Sequence, residues 1–356
     1  MRIGTIALVV LAVTVDASAQ TSPTVGPPAI EAVASINTSS DAFDDPFLFF
    51  DLATTVPIGS HFGAIVRPYA HRLAGGDWTA EMYQLQLRYQ STTTIPVRVD
   101  AGILTSPLGL GTLELRADLS PAIKAPFYYY MPLPPFEGRY EGVQLMSGGY
   151  PLGAIVSVSG AKWDARAGMT DSSPTRDRNV LAGDRPPAMR QFVAGGGITP
   201  HVGLRFGAGF AQGAYRKSPL ENAGADLADA ADITDVTVFN AEGEYAFGHT
   251  RLSGEWVRNR FESTLGPAVA RGYFAQAVHS FTPRIFGVVR VANASSPVYT
   301  GAVRQQRSMT SAELTGGYRI THDFTLRAGY YMSRRYGSND RKHSAIASLV
   351  WARRWF

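Results

Sequence analysis

The chain has no cysteine, only four lysines, and no apolar run long enough for a membrane-spanning helix. Without cysteine there is no disulfide, no thiolate metal site and no cysteine nucleophile. The longest apolar stretch, residues 3–15, falls short of the roughly 20 residues a spanning helix needs. Positive charge is carried almost wholly by arginine, 29 of the 33 basic residues, and the net charge is only +4. These arginines recur singly, and no basic cluster is interleaved with aromatics, so nothing points to nucleic acid. Catalytic signatures are missing as well: there is no Gly-x-Ser-x-Gly elbow and no His-Glu-x-x-His. The run Gly195-Gly196-Gly197 lies in a strand pattern, without the helix that would make it a phosphate cradle. Of the seven histidines, His201, His249 and His322 fall in tight turns. The chain is therefore expected not to be an enzyme, and to need no cofactor and no metal.

What the sequence has instead is alternation. Across residues 324–335, Phe324, Leu326, Ala328, Tyr330 and Met332 share one parity, and Thr325, Arg327, Gly329, Ser333 and Arg335 the other. A strand written this way has one apolar face and one polar face. The same period of two sets Thr310, Ala312, Leu314, Gly316 and Tyr318 against Ser311, Glu313, Thr315, Gly317 and Arg319. It also sets Tyr83, Leu85, Leu87 and Tyr89 against Gln84, Gln86, Arg88 and Gln90. Soluble sandwiches alternate too, so the pattern needs a second signal. That signal is the connectors. Strands are predicted at 189–199, 202–216, 235–248, 250–262, 270–282, 284–294, 308–321, 323–335 and 343–356. The turns Thr199-Pro200-His201, Gly248-His249-Thr250, Thr282-Pro283-Arg284 and Thr321-His322-Asp323 are short. The loops 217–234, 263–269, 295–307 and 336–342 between them are longer. Short and long alternate, as they do between the periplasmic and external ends of an outer-membrane barrel.

Carried toward the N-terminus, the rule gives strands at 152–170, 140–147, 96–105, 81–91, 61–71, 47–56 and 29–38, with a long excursion at 106–139. The total is sixteen. The segment 152–170 changes parity near Gly160; it reads as one strand with a glycine bulge, and if it is a hairpin the count becomes seventeen or eighteen. The expected fold is all-β: a transmembrane antiparallel β-barrel of about 16 strands, with short periplasmic turns and longer external loops. Backbone amides cannot be left unpaired in hydrocarbon, so such a sheet must close on itself. Tyr330, Tyr331, Tyr336, Trp351 and Trp355 sit near segment ends, as an interfacial aromatic girdle would. Arg2, the apolar stretch 3–15 and Ala17-Ser18-Ala19 read as a secretory signal cleaved after Ala19, which leaves 20–356 as a single barrel domain. The terminal Phe356 matches the assembly signal of outer-membrane barrels. Arg354, however, stands where a hydrophobic residue is expected, and Ala347, Leu349 and Trp351 lie on the other parity.

The stretch 96–111 carries Gly102 in a strand that runs into Pro107-Leu108-Gly109. It resembles the strand-plus-loop signature of the phosphate-selective porin O/P family. Tyr140-Glu141-Gly142-Val143-Gln144-Leu145 is similar to the strand that follows that loop in the same family. With the strand count, the resemblance covers most of the chain at the level of architecture. It implies a sixteen-stranded, anion-conducting outer-membrane barrel that assembles as a homotrimer. Phosphate capture in that family uses clusters of lysine and arginine, to which this chain offers no residue-by-residue match. Phosphate specificity is therefore not carried over.

Residues opposite the lipid parity line the lumen of such a barrel and set its selectivity. By parity these include Arg67, Arg88, Arg98, Arg166, Arg205, Arg290 and Arg327. A guanidinium stays charged and offers anions a fixed fork of donors. Asp100, Asp164, Glu242, Glu244, Glu255 and Glu313 share that parity, so the arginines either form an anion ladder or pair with carboxylates to brace the wall. The excursion 106–139, with Arg116, Lys124, Tyr128 and Tyr129 and many prolines, either folds into the lumen as a constriction or caps the barrel from outside. The acidic loop 217–234 is expected to be external, either solvated or bound to divalent cations or lipopolysaccharide. The expected function is a porin-like channel for passive diffusion of small hydrophilic solutes, with anion preference. The alternative is a plugged barrel with a structural or surface-interaction role. A soluble periplasmic β-protein, the third reading, is disfavoured by the terminal phenylalanine. Expected partners are outer-membrane lipid and lipopolysaccharide, the barrel-assembly machinery through the C-terminal strand, and small anionic solutes.

Overall fold

A computed structural model describes residues 28–41, 45–73, 75–91, 95–130, 145–147, 149–171, 174–175, 191–214, 233–263, 266–300, 303–334 and 340–355. Residues 1–19, the terminal Phe356, Tyr336 and nearly all of residues 217–234 lie outside the described residues.

Sixteen strands form one closed antiparallel barrel. In chain order they are β1 (Ala29–Ser39), β2 (Phe47–Ile58), β3 (Phe62–Arg72), β4 (Trp78–Gln90), β5 (Val97–Thr105), β6 (Gly149–Ser159), β7 (Trp163–Thr170) and β8 (Gln191–His201). The second half comprises β9 (Leu204–Ala214), β10 (Ile233–Phe247), β11 (Thr250–Ser263), β12 (Ala268–Ser280), β13 (Ile285–Thr300), β14 (Val303–Arg319), β15 (Phe324–Arg334) and β16 (Arg341–Trp355). Each strand pairs with its neighbours in sequence, and β1 closes the ring on β16 from Ile30↔Trp355 to Ser39↔Ile346. Closure leaves no edge strand whose row of amides would face hydrocarbon unpaired.

The alternation puts apolar side chains outside and polar ones inside, the reverse of a water-soluble protein. Leu87, Val289, Leu314 and Leu326 are exposed on the outer face, whereas Asp51, Arg290, Glu313 and Arg327 are buried on the inner one. No helix among the described residues is long and apolar enough to cross a membrane. An apolar belt around a closed barrel is the form that a bilayer stabilises.

Several boundaries differ from the sequence reading. Residues 152–170 are not one bulged strand: β6 and β7 form a hairpin paired from Gly153↔Thr170 to Ser159↔Asp164. Gly160 sits under the Trp163 ring, where a Cβ would come within 2.5 Å of the indole nitrogen, so a larger residue there would push the exposed ring aside. The strand predicted at 140–147 is not in the barrel, because β5 pairs directly with β6. Residues 140–144 lie outside the described residues, and 145–147 are non-strand residues in the lumen. One strand is added and one removed, so the count of sixteen and the alternation of ends both stand.

The turn expected at Thr199-Pro200-His201 falls instead at Val202 and Gly203, whose φ of +87° favours glycine. The loop expected at 295–307 is mostly strand, since β13 and β14 stay paired as far as Thr300↔Val303. Its Ser and Pro residues read as a turn, but the ladder continues through them. Tyr83 was read as outward. A bulge between Arg67 and Pro68 in the β3–β4 pairing turns it inward, with its ring centroid 4.2 Å from the Arg67 guanidinium carbon. Tyr331, placed in the outer girdle by sequence, also turns inward against Tyr130. On β16 the outward parity is that of Leu349, Trp351 and Trp355, while Ser348 and Val350 are buried inside.

Candidate functional site

The connector between β5 and β6 crosses the lumen. Its described residues are 106–130 and 145–147. Leu108, Phe127, Tyr128, Tyr129, Leu145 and Met146 are almost fully buried against Val193, Val238, Val257, Phe261 and Phe274 of the wall. Two short helical turns, Leu110–Leu115 and Phe127–Tyr129, shape it.

Charged residues of five wall strands pin this loop. Glu255 of β11 accepts hydrogen bonds from the Tyr129 hydroxyl at 2.8 Å, the Tyr128 hydroxyl at 3.3 Å and the Gly111 amide at 3.2 Å. Glu313 of β14 accepts from the amides of Ile123 at 2.6 Å and Lys124 at 3.2 Å. Arg327 of β15 donates to the carbonyls of Ser120 at 2.6 Å and Ala122 at 2.9 Å, and Arg290 of β13 donates to that of Lys124. Farther round the same side of the ring, Arg116 reaches Glu31 of β1 at 3.2 Å while also pairing with Asp118 at 2.5 Å. Burial alone would lower the Arg116 pKa, but Asp118, Asp51 and Glu31 together hold it above the usual arginine range. Burial, reinforced by the charge of Glu255, pushes the Tyr128 and Tyr129 phenols well above theirs, so both stay donors. Beneath loop residues 117–121, a cavity of about 620 Å³ opens toward the turn end, lined in part by Asp118, His249, Arg251, Arg319 and His322.

The seven lumen arginines divide by task. Arg67 is buried in a bidentate pair with Asp51. Arg290 and Arg327 hold loop carbonyls. The other four line one inner strip across β4, β5, β7 and β9. Arg88 meets Asp100 at 2.7 Å and Arg98 meets the same carboxylate at 3.0 Å. Arg205 bridges Asp164 at 2.9 Å and Glu242 at 2.8 Å. Arg166 has no ion-pair partner within 4.0 Å among the described residues, and its Nε makes no hydrogen bond. Four guanidiniums thus share three carboxylates. Of the candidates named from sequence, Asp100 and Glu242 belong to this strip, whereas Glu313, Lys124, Tyr128 and Tyr129 belong to the loop anchorage.

Two contributions were missed in the sequence. Asp51 and Glu31 were not counted among the inward carboxylates, although Asp51 neutralises Arg67. The inward glycines were read only as strand residues. A Cβ on Gly197 would lie 2.6 Å from Nη2 of Arg205, and one on Gly207 would lie 2.6 Å from Oε1 of Glu242. These glycines clear the floor on which the Arg205 pairs rest. Gly209 does the same for Leu108 of the loop. Glycine on the polar parity of successive strands was the available signal.

The chain thus builds a closed sixteen-stranded barrel with an apolar outer belt and a charged, loop-crossed lumen. Solved structures of similar fold include outer-membrane proteins, one of them a porin. The anion-selective porin from Comamonas acidovorans is 12% identical, with 92% of this chain and 98% of that chain covered and a TM-score of 0.57. Outer-membrane-expressed OmpT of Vibrio cholerae is 10% identical, with 95% and 99% covered and a TM-score of 0.57. No protein-family profile matches the chain, and no curated protein sequence does. The similarity is therefore one of fold.

Proposed function

We propose that this chain is an outer-membrane channel through which small hydrophilic solutes diffuse passively, with anions preferred. The observation that carries the reading is the lumen strip of Arg88, Arg98, Arg166 and Arg205, where four cationic groups share Asp100, Asp164 and Glu242. Arg98 keeps 42% of its side chain exposed, so its charge reaches lumen water. A guanidinium about 6 Å from a monovalent anion lowers that anion's energy by roughly 1–3 kcal/mol for effective dielectric constants between 80 and 20. Salt screens this, so the preference should weaken as ionic strength rises. On this reading residues 1–19 are an export leader and the last strand is read by the assembly machinery. A homotrimer follows from the resemblance to phosphate-selective porins, and no catalytic step is assigned to the protein. The anion-selective Comamonas porin is consistent with the proposal through its fold.

A second reading is favoured by one observation. The loop reaches facing walls, at Glu31 of β1 through Arg116 and at Gly209 of β9 through Leu108. A loop anchored on both sides could close the lumen and leave a scaffold presented to the surface. Conductance and reversal potential in a planar bilayer under a salt gradient separate the two. Stable steps with an anion-shifted reversal potential, moved toward cations by Arg88→Glu, Arg98→Glu or Arg166→Glu, would support the channel. A correctly folded barrel without steps would refute it.

A further inference from the structure

The outer face carries arginines that the lumen does not explain. Arg258 on β11 and Arg271 on β12 are directly opposed across the ladder, and so are Arg334 on β15 and Arg341 on β16. All four lie on the outward parity at the loop end of the barrel. On β11 that parity runs Leu252, Gly254, Trp256, Arg258 from the turn end upward, with Leu252 and Trp256 exposed. Trp256 faces Tyr273 across the ladder, and Tyr330 lies two outward positions below Arg334. Each arginine pair therefore sits just above an exposed aromatic, where the apolar belt ends and the polar boundary of a bilayer would begin.

Directly opposed residues have Cβ atoms about 4.5–5.5 Å apart, and like charges so placed repel. Two other outward loop-end arginines are neutralised: Arg72 meets Asp45 at 2.6 Å and Arg260 meets Glu262 at 2.6 Å. Arg258, Arg271, Arg334 and Arg341 have no carboxylate within 4.0 Å among the described residues. Two facing guanidiniums without a counter-ion make a divergent fork of donors, the geometry that a phosphate group fills. Arginine rather than lysine at all four positions fits planar, bidentate recognition.

We infer that these two cross-strand arginine pairs are binding sites for the phosphate groups of an anionic lipid in the leaflet around the loop end. The acyl chains lie on the belt below, against Leu252, Trp256 and Tyr273, and the headgroup phosphate bridges the pair. Phosphate cancels the repulsion and the aromatic ledge sets the depth. This inference rests on the membrane-spanning reading.

The test uses the refolded full chain in detergent, with diphosphoryl lipid A, phosphatidylcholine and inorganic phosphate as probes, read by native mass spectrometry and by unfolding midpoint. Wild type should retain diphosphoryl lipid A at least tenfold more tightly than phosphatidylcholine. Arg258→Gln/Arg271→Gln should lose about tenfold in that retention, and Arg334→Gln/Arg341→Gln should do likewise at the second site. The variants should also show an inversion that a merely structural role would not give. In lipid-free detergent, removing the repulsion should raise the unfolding midpoint; with lipid A present, it should lower the midpoint relative to wild type. Unchanged lipid A retention in a folded quadruple variant would overturn the inference. So would equal protection by inorganic phosphate alone, or loss of oligomers in the variants, which would make the pairs a free-phosphate site or a contact between copies. A chain that fails to insert into bilayers at all would instead overturn the channel reading on which this one stands.

Discussion

Tyr129→Phe removes a single hydroxyl, yet it should loosen the lumen loop measurably. That hydroxyl donates to Glu255 at 2.8 Å from a residue 1% exposed, among Leu108, Phe127, Tyr128 and Met146. Water cannot replace the lost donor in so apolar a setting. A hydrogen bond to a charged group contributes about 1.5–3 kcal/mol, and Glu255 would keep the longer Tyr128 contact and its bonds to the loop backbone. At tenfold per 1.4 kcal/mol, the detached population of the loop should rise by about 10- to 150-fold. Two assays read that population. Trypsin cleavage at Arg116 or Lys124 follows the open fraction when reclosing is fast, and single-channel flicker follows it in a bilayer. Tyr128→Phe, with its longer 3.3 Å contact, should have a smaller effect. If Tyr129→Phe leaves both cleavage and flicker within twofold of wild type, Glu255 does not hold the loop, and the anchorage argument fails.

Three further outcomes are expected. Arg67→Met should cost about 3–5 kcal/mol by stranding the buried Asp51 carboxylate, whereas Arg67→Met/Asp51→Leu should recover most of it; denaturant midpoints of the refolded barrel decide, and equal losses in both variants would refute the pairing argument. Gly197→Val places a Cβ against Arg205 and against the Phe206 carbonyl at 2.7 Å, so it should cost about 1–3 kcal/mol and weaken the Asp164 and Glu242 pairs, as read by unfolding midpoint and reversal potential. Burial pushes the Lys124 ammonium below the usual lysine range, against the pull of Glu313 and Asp41. Its folded pKa is lower than its unfolded one, so the undocked loop binds more protons between the two values, and docking should strengthen as pH rises toward about 10.4. Lys124→Met should flatten that rise in protease protection, and an unchanged slope would count against it.

The arginine strip explains why only part of the charge arrangement could be read from parity. Parity placed Arg67, Arg88, Arg98, Arg166, Arg205, Arg290 and Arg327 on one face, and all seven do face the lumen. It could not say that Arg67 is neutralised by Asp51, that Arg290 and Arg327 hold loop carbonyls, or that Arg166 is left without an ion pair. Those outcomes depend on cross-strand register and on a loop that meets the wall far away in sequence. Gly111 and Glu255 are separated by 144 positions, and Ile123 and Glu313 by 190.

The sequence by itself determined the closed barrel and the distinction between its two ends, and it reached sixteen strands because the loss of 140–147 and the splitting of 152–170 cancel. A period of two and the length of a connector are local properties, written within a dozen residues of chain. Even so, 152–170 shows the limit of local reading: one parity change near Gly160 fits a bulge or a hairpin equally, and only the pairing of β6 with both β5 and β7 decides between them. Tyr83 shows the same limit, because a one-residue bulge inverts a side chain without leaving a mark in composition. The tertiary structure alone decided the path of the loop, the sharing of carboxylates in the strip and the facing arginine pairs on the outer wall. Each of these arises from residues brought together by closure of the sheet, and closure is a property of the whole ring rather than of any one strand.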